Sequence, residues 1–292
     1  MFKNAGTTFD WSLKRCLGRN FIEHRDSDKM IKGGADYLKG ILHEFSEIKA
    51  LSSHHIQLPL PLCNDVKLFP VVLVRHPIDR VGSVYSFERS QLQNTPSSMN
   101  ARRMTFNEYV EWCMEPASTA VIRNFQTLYL MGRSASPNKL IGDDDFGALV
   151  ESLADHPLLG IVDQYDESMV LIEKELRKTY PQIDLSYVRR NVTTGRKEDL
   201  DGRIHDVYGK LGGGLSELLI ENNYWDIKLY NEAKKIINNR ISQTERFHEQ
   251  LCVFQKRCQE LEKYKWILNS EMLCAFLSFL NGFAKKLKFR VT

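Results

Sequence analysis

The segment Lys3–Thr8, with the sequence KNAGTT, brings together residue types that can hold a phosphate group. Small residues let backbone N–H groups approach a phosphate closely, the two threonines add hydroxyl donors, and Lys3 adds a mobile cation. A helix is predicted over Phe9–Leu17, and its N-terminus would add partial positive charge. In a Walker loop the lysine follows the last glycine, whereas Lys3 precedes Gly6. The segment therefore predicts a phosphate-binding loop, but not ordinary nucleotide hydrolysis.

A second block, Val71–Tyr85 (VVLVRHPIDRVGSVY), could position an arginine for anion binding. Val71–Val74 is a short β-branched run between prolines, which predicts a buried parallel strand. Pro77 suits the first turn of a helix that continues over Ile78–Glu88. Arg75 would then stand at the end of the strand. There its guanidinium could hold a phosphate or, as the alternative, form a structural ion pair.

The two blocks resemble the nucleotide-binding motifs of sulfotransferases that use 3′-phosphoadenosine 5′-phosphosulfate. The resemblance is to the carbohydrate group in particular, which includes the heparan sulfate 2-O-sulfotransferases. Lys3–Thr8 resembles the family's 5′-phosphosulfate loop, and Val71–Tyr85 resembles its 3′-phosphate element. Asn124–Gly132 and Gly160–Ser168 resemble family segments more weakly. The resemblance covers roughly residues 1–235, the length expected of one such domain.

The resemblance implies transfer of the donor's sulfuryl group to a hydroxyl of a carbohydrate or glycan-like acceptor, by in-line displacement and without a metal. Arg75 and Ser83, which are 83 − 75 = 8 positions apart, match the residues that hold the 3′-phosphate. Lys3 is the candidate for stabilising the leaving oxygen of the donor. The predicted donor contacts are Lys3, Asn4, Ala5, Gly6, Thr7, Thr8, Arg75, Ser83, Arg190 and Thr193.

Three of these predicted contacts need separate comment. Arg190 and Thr193 belong to a basic, hydroxyl-rich stretch, and similar loops in the family close over the nucleotide. A solvated charge cluster is the alternative interpretation of this stretch. Ala5 replaces a glycine that is usual in the family, and alanine is tolerable there if its backbone keeps a negative φ.

A histidine pair, His54 and His55, lies between the two nucleotide motifs. Because a histidine titrates near neutral pH, it is a suitable general base for the attacking hydroxyl. The 2-O-sulfotransferases carry a catalytic histidine in a comparable place, before an apolar residue. His55 precedes Ile56 and fits that pattern best, while His54 stays the alternative because Ser53 and His54 replace the usual lead-in. Taken alone, such a pair is more often solvent-facing or structural.

The elements that must position these residues predict an α/β fold, with a P-loop-like parallel sheet flanked by helices. Further helices are predicted over Ala120–Met131, Phe146–Leu153 and Glu167–Thr179. Thr105 and Glu108 form a capping-box pattern at the start of another helix. Residues 1–235 are predicted to form this domain.

The first strand of the sheet is expected to be truncated. Members of the family have an apolar strand directly before the phosphate loop, whereas Met1 and Phe2 precede Lys3 here. Three interpretations stay open: the protein starts upstream of Met1, the loop is held by another part of the chain, or function is impaired.

Residues 236–292 are predicted to form a C-terminal helical, coiled-coil-like extension. An apolar stripe of heptad type supports this, with Lys265 in one of its positions: Phe247, Leu251, Phe254, Cys258, Leu261, Leu268 and Met272. The stripe would either pack on its own domain or form a homodimer. The tail over residues 283–292 mixes basic and apolar residues, and would either lie peripherally on an anionic membrane or end as a frayed, solvated segment.

Composition narrows the classes of function. The chain has 292 residues, and its 40 basic and 37 acidic side chains give a net charge of +3, so nucleic-acid binding is not predicted. The spacing of the six cysteines suits neither a zinc site nor a disulfide framework, which favours reduced thiols and a cytoplasmic location. No apolar stretch is long enough to predict a transmembrane helix.

Two other functions stay open. A catalytically inactive relative could act as a dimeric scaffold through the C-terminal stripe, which the truncated strand would explain. A nucleotide kinase of related fold is disfavoured, because no lysine follows Gly6. The acceptor could be a polysaccharide, a lipid-linked sugar or a small hydroxylated metabolite.

Overall fold

The structure is a computed structural model that describes residues 1–56, 58, 60–63, 66–133, 140–188 and 199–264. Within these residues the chain is mostly helical, with short parallel strands, and belongs to the α/β class. The described helices are α1 (Gly6–Leu17), α2 (Ser27–Glu44), α3 (Pro77–Ser90), α4 (Pro96–Arg103), α5 (Phe106–Met114), α6 (Phe125–Leu130), α7 (Asp143–Asp155), α8 (Tyr165–Leu176), α9 (Leu200–Leu211), α10 (Gly213–Glu221), α11 (Tyr224–Gln243) and α12 (Phe247–Lys263).

The strands form two separate parallel pairs in the part of the chain that the structure describes. β1 (Phe21–Glu23) pairs with β2 (Ala50–Ser52), and β3 (Val72–Val74) pairs with β4 (Leu159–Ile161). Each pair is joined through at least one helix, as parallel strands require. All residues of β3 and β4 are buried, which explains why β3 is a continuous apolar run.

Local sequence signals mark several element boundaries correctly. The predicted strand is confirmed at Val72–Val74, and α3 starts at Pro77 as expected. The capping box is confirmed, because Thr105 accepts a hydrogen bond from the Glu108 amide while the Glu108 carboxylate accepts one from the Thr105 amide. The helix expected from Ala120 was placed too early.

That helix, α6, begins only at Phe125 because of the residue before it. Asn124 adopts the left-handed conformation, with φ of 44°. Its side-chain oxygen accepts hydrogen bonds from the backbone amides of Trp225 and Asp226 at 2.9 and 3.1 Å. These tertiary contacts keep Asn124 in a non-helical conformation, so the helix begins at Phe125.

The main core surrounds β3 and β4. Helices α8 and α11 pack against β4, α12 packs on α8, and α1 contributes Phe9 and Leu13 to the same core. Gly160 makes the packing possible, since a Cβ atom there would stand 2.8 Å from Ser168 Cβ and 2.9 Å from Leu73 Cδ2. A second core lies between α3, α5, α9 and α10.

The described part of the C-terminal stripe faces its own domain. Phe247 and Phe254 are buried in the main core, and Leu251 and Cys258 pack against it. α11 runs without a break across the predicted boundary at residues 235 and 236, so that boundary stays a prediction. The later stripe positions and the basic tail lie outside the described residues. None of the described helices is both long enough and apolar enough to cross a membrane.

Candidate functional site

The phosphate-type loop folds tightly against the start of α1. Lys3 and Ala5 both adopt the left-handed conformation, with φ of 60° and 61°. The condition under which alanine is tolerated at position 5, a negative φ, is therefore not met. The physical reason lies in the loop itself, where the Ala5 carbonyl turns to accept the amides of Thr8 and Phe9 at 3.1 and 3.2 Å. A left-handed alanine costs about 1–2 kcal/mol relative to its preferred conformations.

The N-terminal end of α1 lies within this loop. The helix begins at Gly6, so the amides of Gly6 and Thr7 precede its first intrahelical hydrogen bonds and are available for an anion. Thr7 is exposed, and Thr8 is half-buried. The Lys3 ammonium lies 4.7 Å from the centre of the Phe87 ring. The loop thus has helix-end amides, two hydroxyls and a cation within six positions, and their role as donor contacts stays a prediction.

Arg75 stands directly beside this loop. Its Nη1 donates to the Lys3 carbonyl at 3.0 Å, which joins the two sequence blocks across 72 positions. Its Nε donates to Asp79 Oδ2 at 2.9 Å, and its Nη2 donates to the Asp79 carbonyl at 3.1 Å. The other oxygen of the Asp79 carboxylate accepts from Arg203 at 3.0 Å. Arg75 is therefore in a buried ion pair, and a phosphate would have to share its guanidinium with Asp79.

Asn4 and Gln126 tie the loop to the end of β3. The Asn4 amide nitrogen donates to the Leu73 carbonyl at 2.6 Å and to Gln126 Oε1 at 2.7 Å. Gln126 also exchanges two hydrogen bonds with the backbone of Arg75, at 2.9 and 2.8 Å. Sequence reasoning missed the role of Gln126. Its only signal was that it lies in Asn124–Gly132, a weakly matched segment.

Arg80 is a second buried cation at the loop that sequence reasoning did not single out. Its Nε donates to the Phe2 carbonyl at 3.1 Å, and its Nη1 donates to the Val121 carbonyl at 2.6 Å. The guanidinium carbon lies 4.3 Å from the centre of the Phe125 ring. Burial lowers the pKa of Arg80 to about 9, so it stays charged at pH 7. Arg80 is therefore a second buried cation beside the loop, in addition to Arg75.

The histidine nearest the loop is His54. A Cβ atom added at Gly6 would lie 3.8 Å from His54 Cε1, and the His54 ring meets the Phe2 ring edge-on at 6.1 Å. His55 instead lies near the Asp28 carboxylate of α2, which raises its pKa against the larger lowering effect of burial. The structure therefore brings the alternative residue to the loop, and the choice between the two stays a prediction.

Its surroundings keep the His54 imidazole neutral. Desolvation is the largest cause, and the ammonium group of Met1 and the positive charge of His55 add to it. Together these effects lower the pKa of His54 to about 4. At pH 7 the ring is therefore neutral, but a pKa this far below 7 makes it a weaker base than an unperturbed histidine.

The other predicted donor contacts are Ser83, Arg190 and Thr193. Ser83 is half-buried on α3, six positions after Pro77, which corresponds to about 9 Å along the helix axis. Arg190 and Thr193 lie outside the described residues.

Comparison with known proteins gives one similarity of substantial length. An uncharacterised protein of Archaeoglobus fulgidus is 28% identical over 241 residues, which cover 80% of this chain and 92% of its own. No family model matches the chain, and no solved structure matches it. The activity therefore has to be inferred from the site itself.

Proposed function

We propose that this chain is a sulfotransferase with a P-loop-like fold, which uses 3′-phosphoadenosine 5′-phosphosulfate as donor. The observation that carries the proposal is the 3.0 Å hydrogen bond from Arg75 to the Lys3 carbonyl. It joins two motifs that resemble the two nucleotide-binding elements of one family. A donor with phosphate groups on both sides of its ribose needs two anion sites in close proximity.

The donor would be held from both ends. The amides at the start of α1, with Thr7 and Thr8, suit the 5′-phosphosulfate group. Arg75 and Ser83 suit the 3′-phosphate, and the predicted loop with Arg190 and Thr193 would cover the nucleotide. No step of this binding needs a metal ion.

The transfer step then needs a base and a cation. A neutral histidine, His54 or His55, takes the proton of the acceptor hydroxyl, and the hydroxyl oxygen attacks the donor sulfur in line. The bond from sulfur to the bridging phosphate oxygen breaks as the new bond forms. The ammonium group of Lys3 stabilises the charge on the leaving phosphate. A carbohydrate or another hydroxylated molecule is the acceptor.

Radiolabelled donor and a panel of oligosaccharides, glycolipids and small alcohols test the proposal. We expect label in at least one acceptor, and a loss of about 100-fold or more in turnover for Lys3→Ala and for one of His54→Asn and His55→Asn. Arg103→Ala, at an exposed position on α4, is the control and should keep full turnover. If both histidine variants keep the turnover of the wild type, neither histidine is the base. Absence of labelled product with every acceptor would speak for the second candidate.

The second candidate is a catalytically inactive relative that acts as a dimeric scaffold and does not bind the nucleotide. The observation that favours it is the engagement of Arg75 with Asp79, together with the strained Ala5 in the loop. It predicts a dimer that does not bind the donor. Sedimentation of the full chain tests the associated scaffold role, for which a dimer is expected.

A further inference from the structure

A cluster of three charged side chains lies at the start of α3, almost out of contact with water. The Asp79 carboxylate bridges two guanidiniums: Oδ2 accepts from Arg75 Nε at 2.9 Å, and Oδ1 accepts from Arg203 Nε at 3.0 Å. The side chains of Arg75 and Asp79 are 6% and 5% exposed, and that of Arg203 is 12% exposed. Because charges interact strongly where water is excluded, each member of the cluster affects what the others can bind.

The packing of two helices fixes the positions of these side chains. Arg75 directly follows β3, Asp79 lies in the first turn of α3, and Arg203 lies in the first turn of α9. Apolar side chains of α3 and α9 meet in the second core, among them Val81 and Val207. The contact between Arg203 and Asp79 spans 124 positions, so it is produced by the fold and not by the local sequence.

Arg203 changes the charge that Arg75 presents to the candidate phosphate loop. Arg75 reaches this loop through its Nη1, which donates to the Lys3 carbonyl at 3.0 Å. A carboxylate beside Arg75 repels a phosphate and offsets the attraction of the guanidinium. Since the second oxygen of Asp79 is bound to Arg203, two cations share one carboxylate, and positive charge exceeds negative charge among the three side chains.

We propose that Arg203 is a positioning residue for anion binding at Arg75. It takes up the negative charge of Asp79 and thereby leaves Arg75 able to hold a phosphate group. Arg203 acts through Asp79 and does not have to touch the ligand. The identification of the ligand as the 3′-phosphate of the nucleotide rests on the proposed function, whereas the dependence of the anion site on Arg203 does not.

A double-mutant cycle on the full chain tests the proposal with two probes. Binding of 3′-phosphoadenosine 5′-phosphate is measured by calorimetric titration, and binding of inorganic phosphate by the rise in Tm that it causes. Arg203→Gln should weaken nucleotide binding by about tenfold or more, because Asp79 then opposes the phosphate without its counter-charge. Arg203→Lys keeps that charge and should bind within about threefold of the wild type.

The Asp79→Asn background separates this role from a purely structural ion pair. Without a carboxylate to balance, Arg203→Gln should change the nucleotide affinity by less than about threefold. Asp79→Asn alone should bind at least as tightly as the wild type, which tests the account independently if Arg203→Gln does not fold. Lys210→Ala, at an exposed basic position of α9, is the control and should leave binding of both probes unchanged.

Four results would overturn the proposal: wild-type affinity in a folded Arg203→Gln variant, an equal loss from Arg203→Gln in the Asp79→Asn background, weaker nucleotide binding by Asp79→Asn alone, or a wild type that binds neither probe. Binding of inorganic phosphate that depends on Arg203, in a chain that does not bind the nucleotide, would support the anion site and count against the proposed function alone.

Discussion

Replacing Gln126 with leucine should destabilise the protein strongly, because this buried amide connects the loop to β3. Gln126 Oε1 accepts from Asn4 and from the Arg75 amide, at 2.7 and 2.9 Å, and Nε2 donates to the Arg75 carbonyl at 2.8 Å. The side chain is fully buried. Leucine keeps a similar volume but leaves the backbone N–H and C=O of Arg75 without these partners. Each of these two unsatisfied groups costs about 1–3 kcal/mol, so we expect a total loss of about 2–6 kcal/mol.

Urea unfolding followed by circular dichroism measures this loss. Gln93→Leu is the matched control, since Gln93 is exposed and its substitution should change the free energy of unfolding by less than about 0.5 kcal/mol. A loss below about 1 kcal/mol in Gln126→Leu, with an unchanged m-value, would refute the reasoning. It would mean that water or a rearranged backbone satisfies Arg75 without Gln126.

Three other substitutions and one pH profile test further parts of the structure. Ala5→Gly should raise the free energy of unfolding, measured in urea, by about 0.5–1 kcal/mol. The reason is that relief of the left-handed strain exceeds the entropy that glycine adds to the unfolded chain. A lower free energy of unfolding would contradict the positive φ of Ala5. Gly160→Ala should lower Tm through its close contacts at 2.8 and 2.9 Å, costing about 1–3 kcal/mol, whereas Gly147→Ala, with open space around it, should not. Burial raises the pKa of Asp10 to about 6. The free energy of unfolding of the wild type should therefore decrease as pH rises from about 4 to 6. Unfolding curves of Asp10→Asn should show no such decrease. If His54 is the base, turnover should decrease on the acidic side with a midpoint near pH 4, the value of the His54 pKa. A midpoint near pH 6.5 would exclude His54 as the base.

The sequence predicted the parts of the fold that depend on neighbouring residues. β3 and α3 were evident because a β-branched run ends in an arginine and a proline, and the capping box at Thr105 needs only three positions. β1 and β2 were not predicted, since each has three residues and becomes a strand only through its partner. The class of fold followed from this local order, but the separation into two strand pairs did not.

The polar residues of the candidate site were chosen from the sequence, whereas the residues that contact them were not. Lys3 and Arg75 were chosen by motif, and the structure brings them together. The link through Gln126 spans 122 positions from Asn4, and no local pattern signals such a contact. The conformation of Ala5 has a local cause instead, because its carbonyl accepts the amides of Thr8 and Phe9 at the start of α1. His54 reaches the loop through folding of the chain after β2, which the spacing of the histidines does not reveal.

The central claim is that this chain holds a nucleotide by two separate phosphate sites, and calorimetric titration tests it most directly. We expect 3′-phosphoadenosine 5′-phosphate to bind more tightly than adenosine 5′-phosphate, because Arg75 and Ser83 contact the additional phosphate. Arg75→Ala should reduce the affinity for the first ligand by about tenfold or more and leave the second nearly unchanged, which also shows that the variant is folded. Equal affinity of the wild type for both ligands, or no binding of either, would contradict the account.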